Sequence, residues 1–177
     1  MKSWRVGVMV LAGLAGAASV AGAAEMHAQM RQVTPSGPGE PRGMVAISDG
    51  AGGAVIKTAL KGLPPGAHGF HIHQNGSCEP ATVDGKTVPA GAAGGHFDPQ
   101  HTGKHEGPQG NGHLGDLPVL QVAADGTATQ ALSAPQIKDI ASLRGKAVMI
   151  HAGGDNYRDQ PAPLGGGGAR IACGVIE

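Results

Sequence analysis

Gly69-Phe70-His71-Ile72-His73 is the stretch from which both fold and chemistry are read. On a strand, residues i and i+2 point to one face, so His71 and His73 reach one metal ion from a rigid support. Short apolar or alternating runs lie on either side of it, each closed by turn residues. Residues 43–48 end at Asp49-Gly50, and residues 55–60 end at Pro64-Pro65-Gly66. Residues 117–123 stop at Asp125-Gly126, and residues 127–132 return from it as a hairpin. Residues 147–152 and 170–176 read as further strands, and only 135–143 looks briefly helical. Many short strands between Gly and Pro turns predict an all-β fold, an antiparallel sandwich or barrel.

Two stretches do not fit strands, 74–115 and 153–169. Unstructured connections of this length are uncommon in a compact domain and are usually functional. The 25–29 segment reads as mobile, and Met26, His27 and Met30 as part of a frayed terminus rather than a copper-capturing arm.

The chain has 177 residues, the size of one domain. Residues 1–23 read as a secretory signal peptide. Lys2 and Arg5 form a basic start, residues 6–18 are small and apolar, and Ala21-Gly22-Ala23 resembles a cleavage site. The domain is then 24–177, expected to be exported, with no membrane anchor. The full chain carries 13 Lys and Arg against 13 Asp and Glu, and the leader removes two bases and no acid. The remainder is slightly acidic, which gives no reason to expect nucleic acid as a partner. It keeps only Phe70, Phe97 and Tyr157 as aromatics, so a core of Val, Ile, Leu and Ala needs other support. In an exported protein Cys78 and Cys173 are expected to pair.

The chemistry lies in the histidines. His151 closes a predicted strand and can join His71 and His73, and three or four imidazoles suit Cu(II). His96, His105, His113 and Asp116 make a closed set of three His and one Asp, the composition of a structural zinc site. Copper with only His71, His73 and His151 lacks a fourth nitrogen. An imidazole has two, so a loop histidine can bridge both ions. Copper and zinc are therefore the expected cofactors, one of each per chain.

The motifs Gly69–His73, Gly94-Gly95-His96-Phe97-Asp98-Pro99, Gly103-Lys104-His105, Gly112-His113-Leu114-Gly115-Asp116-Leu117-Pro118, His151-Ala152-Gly153-Gly154-Asp155-Asn156 and the run from Gly165 to Ile176 together resemble the bacterial periplasmic copper/zinc superoxide dismutase family. The resemblance implies a Greek-key β-sandwich or barrel of about eight antiparallel strands with two long functional loops. It implies His71, His73, His96 and His151 as copper ligands and His96, His105, His113 and Asp116 as zinc ligands, with His96 the catalytic bridge. It implies Asp155 as the carboxylate linking His71 and His105, Arg170 as the catalytic guide for the anion, Cys78–Cys173 as the disulfide, and the periplasm as the destination. The implied reaction converts two superoxide anions and two protons to dioxygen and hydrogen peroxide. Histidine-bound copper is alternately reduced and oxidised, and zinc serves as structural and tuning ion. The family includes monomers and dimers, so a homodimer stays open.

Ala162 stands where bacterial relatives often carry a lysine, which predicts weaker electrostatic steering, with Arg158 and Lys104 as substitutes. His27, His68 and His101 have no assigned role and read as solvated. A non-catalytic copper carrier or store on the same fold is the competing reading, and the presence of both His151 and Arg170 argues against it.

Overall fold

Alternation of side chains builds the sheet. The structure, a computed structural model, describes Met1 and residues 24–177. Apart from Met1, the leader expected over 1–23 lies outside the described residues. The first strand, β1 (Glu25–Thr34), sends Met26, Ala28 and Met30 into the core and Glu25, His27, Gln29 and Arg31 to solvent. The expected frayed arm is therefore a strand, with its methionines facing away from His27. Strands β2 (Gly37–Gly50) and β3 (Gly53–Leu60) continue as a meander, with Val45, Ile47 and Ile56 fully buried.

The chain then crosses the barrel. Strands β4 (Gly66–His68) and β5 (Phe70–His73) precede a hairpin of β6 (Ala81–Val83) and β7 (Lys86–Val88) inside the first long loop. Strands β8 (Leu120–Val122), β9 (Ala131–Ala134), β10 (Ala147–His151) and β11 (Arg170–Val175) complete the order. The main sheet runs β5-β10-β11-β1-β2-β3-β9, with β4-β8 and β6-β7 as separate antiparallel pairs. The passages from β3 to β5, and from β9 back to β10 beside β5, are the long crossings of a Greek-key barrel.

The hairpin expected over 117–132 is corrected. Its turn forms, with Ala123 donating to Thr127 O at 2.8 Å. Its arms then separate, β8 to β4 and β9 to β3. The helical signal at 135–143 becomes a single 3-10 turn, Ile140–Leu143, capped by Asp139.

Two apolar clusters fill the body. The larger joins β1, β2, β3, β5 and β10 through residues such as Met30, Ile47, Phe70, Ile72 and Ile150. The smaller holds Val33, Ala90, Ala93, Ala147, Met149 and Cys173, with Cys78 packed against it. The Cys78–Cys173 disulfide, with its Cα atoms 5.7 Å apart, pins the first loop to β11 through this second cluster. The bridge closes a sequence separation of 95, which the loop-entropy model values at about 4–5 kcal/mol.

The free edge of β5 is covered by the same loop. Ile72 donates to Gly115 O and Phe97 donates to Ile72 O, each at 2.8 Å. A side chain at Gly115 would run into the Ile72 carbonyl, so this approach needs glycine. These bonds seat the loop that carries His96, His113 and Asp116 directly on the strand that carries His71 and His73.

Candidate metal centre

All four residues of β5 are buried. Phe70 and Ile72 join the larger core, which leaves His71 and His73 on the opposite face under the loops. Antiparallel pairing sets Met149 opposite His71 and Ala147 opposite His73, and β10 then ends at His151. Loop pairing brings His96 opposite His73 and Asp116 opposite His71. The structure thus brings together every expected ligand. His71, His73, His96 and His151 form one buried group, and His96, His105, His113 and Asp116 another. Within each group one nitrogen or carboxylate oxygen from every residue lies within 4.8 Å of the others, so each group could hold a metal ion.

Hydrogen bonds to acceptor-only oxygens fix where the ring protons are. His73 donates from Nδ1 to Gly94 O at 2.8 Å, and His151 from Nδ1 to Gly168 O at 3.1 Å. Their Nε2 atoms then face each other as bare lone pairs at 3.3 Å. Burial, with the charges of neighbouring rings and Arg170, holds His73 well below the ordinary histidine range. Burial, followed by the charge of His71, lowers His151 to about 3. Neither ring takes a proton at neutral pH to relieve that repulsion, whereas a cation between them does.

Asp155 performs the same office across both groups. It accepts from His71 Nε2 and from His105 Nε2, each at 2.7 Å. That leaves Nδ1 of both rings unpartnered and buried, together with His96 Nε2 and His113 Nδ1. A fixed tautomer and an aimed lone pair are what a ligating histidine requires from its surroundings. Gly165, at φ +71°, lets the second loop pass over this contact. A Cβ there would collide with Asp155 Oδ1 and His105 Nε2.

In the second group, Asp116 oxygens lie 3.0 Å from His96 Nδ1, 3.0 Å from His105 Nδ1 and 3.4 Å from His113 Nδ1. The last two are not aligned as hydrogen bonds. Atoms about 2.0–2.1 Å from one tetrahedral ion lie roughly 3.3 Å apart. These atoms therefore converge on a point rather than on each other, and the donor set fits zinc. Burial alone would raise Asp116 and Asp155. The close approach of the His105 ring and the hydrogen bond from His96 at the first, and hydrogen bonds from His105 and His71 at the second, outweigh it and hold both well below the usual carboxylate range.

Burial lowers His105, but the two carboxylates outweigh it and raise the ring to about 9 in the metal-free protein. A zinc ion held by this group would have to displace that proton from Nδ1. Zinc affinity of the metal-free protein is therefore expected to rise about tenfold per pH unit up to about pH 9. Chelator competition across pH 6–9 measures this, and an affinity independent of pH contradicts it.

Arg170 is the Cα partner of His151 across β10 and β11. Its guanidinium donates to Ala90 O and Gly94 O, both at 2.5 Å. The Gly94 carbonyl therefore orients both His73 and Arg170. Asp98 is loop structure, accepting from Gly103 N–H at 2.8 Å. Lys104 and Arg158 are exposed on the two loops, and His27 and His101 are exposed as expected. His68 is the exception, only 2% exposed. Its Nδ1 lies 2.7 Å from His151 O and its Nε2 2.8 Å from Pro64 O. It braces the end of β10 where His151 turns toward the site. Nothing local in the sequence marks it, because the oxygen it holds is 83 residues away.

Residues 41–176 match the sequence family described as copper/zinc superoxide dismutase (SODC). The chain is 55% identical over 177 residues, all of both chains, to superoxide dismutase (Cu-Zn) 2 of Salmonella typhimurium. Among solved structures it is similar to the Cu/Zn superoxide dismutase from Brucella abortus, with TM-score 0.86 and 51% identity over 87% of this chain and 100% of that one. It is also similar to the solution structure of the monomeric copper, zinc superoxide dismutase from Salmonella enterica. That likeness has TM-score 0.77 and 58% identity over 87% of this chain and 100% of that one.

Proposed function

Because the chain belongs to the copper/zinc superoxide dismutase family, we infer that its two buried groups divide the ions between them, copper on the first and zinc on the second. The protein is an oxidoreductase that converts two superoxide anions and two protons to dioxygen and hydrogen peroxide, and its cofactors are copper and zinc. The observation that carries the residue assignment is His96. Its Nδ1 faces Asp116, and its buried Nε2, without a partner, faces the other group.

When bound, copper supplies one-electron exchange and zinc a fixed positive charge. The protein's own residues do the rest. His71, His73 and His151 are held in one tautomer by Asp155, Gly94 and Gly168. His96 is gripped from its Nδ1 side, so its Nε2 can take up a proton and pass it to the departing peroxide while the ring stays in place. Arg170 holds a positive charge beside His151, fixed by two carbonyls, where a small anion docks.

Crystals of the loaded protein, with anomalous scattering recorded at the copper and zinc edges, test the division. Copper is expected within the His71, His73, His96 and His151 group. Zinc there, with copper beside His105, contradicts it. Arg170→Ala is expected to lower the dismutation rate on the order of 10- to 1000-fold at unchanged metal content. Arg170→Lys should recover little, because one ammonium does not reproduce the planar fork between the two carbonyls. Stopped-flow decay of superoxide measures both, and a wild-type rate in Arg170→Ala contradicts the role.

We place the mature domain, residues 24–177, in the periplasm. The leader-like first 23 residues support this, as do the disulfide and the Gram-negative relatives. N-terminal sequencing of protein from periplasmic extract is expected to begin at Ala24 or Glu25. For assembly, the Salmonella enterica relative supports a monomer, and sedimentation velocity decides between that and the homodimer.

A further inference from the structure

Residues 155–159 alternate in exposure. Asn156 and Arg158 face solvent, while Asp155, Tyr157 and Asp159 are partly buried against the rest of the protein. Each of the three inward residues grips a different part of the metal-bearing framework. Asp155 takes the rings of His71 and His105. The Tyr157 hydroxyl accepts from Val119 N–H at 2.9 Å. Its ring lies so close to Gly107 that a Cβ there would sit 2.6 Å from Tyr157 Cγ. Asp159 accepts from the backbone N–H of His105 through Oδ2 at 3.0 Å, and from Leu164 N–H through Oδ1 at 3.3 Å.

His105 is therefore held twice by one short segment, by its ring from Asp155 and by its main chain from Asp159. A ring held at Nε2 alone can still swing as its backbone shifts. Fixing the main chain as well leaves Nδ1 a single direction, toward Asp116 and His113. The next turn is tied to the same point, since Glu106 and Gly107 N–H both donate to Asp116 Oδ2 at 3.2 Å.

We propose that Asp159 is a positioning residue for the zinc site, acting through the backbone of His105, with Tyr157 packing the adjoining turn in place. Asp159 touches no ion; it sets where a ligand points. Outer contacts of this kind typically change metal affinity about 10- to 100-fold.

The test is zinc affinity by chelator competition on the full mature protein, together with the visible spectrum of Co(II) bound in place of zinc. Asp159→Ala is expected to weaken zinc about tenfold or more and to alter the Co(II) spectrum, with copper affinity unchanged. Gln160→Ala, one residue away and facing solvent, is expected to leave zinc affinity unchanged. Asp159→Asn keeps one oxygen for His105 N–H and is expected to restore most of the affinity. Wild-type zinc affinity and an unaltered Co(II) spectrum in Asp159→Ala overturn the proposal.

Hydrogen exchange at the His105 amide reads the contact itself. Faster exchange in Asp159→Ala than in Asp159→Asn supports the role, and equal protection in both overturns it. If Asp159→Ala does not fold, the wild type and Asp159→Asn carry the test. An unprotected His105 amide in the wild type, or one left unprotected in Asp159→Asn, overturns the role. The inference rests on His105 being a zinc ligand, which His105→Ala tests separately. If that variant binds zinc normally, the site reading fails. If it loses zinc while Asp159→Ala does not, only the role of Asp159 fails.

Discussion

His151→Ala is expected to reduce dismutation on the order of 1000-fold or more, because a redox ion held by nitrogen donors loses both its geometry and its retention when one is removed. His151 stands at the end of β10, facing His73 Nε2 at 3.3 Å, with its own Nδ1 tied to Gly168 O. Alanine leaves an opening beside Arg170, and water replaces a fixed nitrogen. The second group does not include His151. Zinc is therefore expected to remain near one per chain while copper falls. Metal analysis and stopped-flow assay on the same preparation measure the two effects. A variant that keeps one copper and the wild-type rate contradicts the assignment of His151.

Cys78→Ser is expected to cost about 2–5 kcal/mol of stability, the range for removing a native disulfide from a small exported domain. At roughly 2–4 °C per kcal/mol for a domain of this size, Tm should fall by roughly 4–20 °C. Activity is expected to fall as well, for a structural reason. The bridge holds the segment whose Ala90 and Gly94 carbonyls fix Arg170 and His73. Freeing that segment loosens Arg170 and His73 together, the charge proposed to receive the anion and a ring proposed to hold copper. Differential scanning calorimetry of the loaded protein measures the first effect and superoxide decay the second. An unchanged Tm contradicts the structural role of the bridge.

The parts legible in the sequence were those with a local cause. Phe70 to His73 and Val148 to His151 show their alternation in a few residues, and those strands supply three of the four rings in the first group. The clustering of these side chains was legible because imidazoles at these spacings have few other reasons to recur. The β1 strand was missed although Met26, Ala28 and Met30 alternate with Glu25, His27 and Gln29. Residues 25–32 lack β-branched side chains, and their burial comes from β2 and β11 rather than from themselves. The Asp125-Gly126 turn was read correctly. The destination of its arms was not, because β4 and β3 compete for them across the barrel. His68, Tyr157 and Asp159 act on oxygens and amides 38 to 83 residues away. No window along the chain contains both ends of those contacts.

The most direct test of the central claim is to load purified mature protein with copper and zinc, count both per chain, and follow superoxide decay. One copper, one zinc and rapid catalytic dismutation are expected. Full occupancy of both sites without dismutation would contradict the enzyme and leave a metal carrier on the same fold.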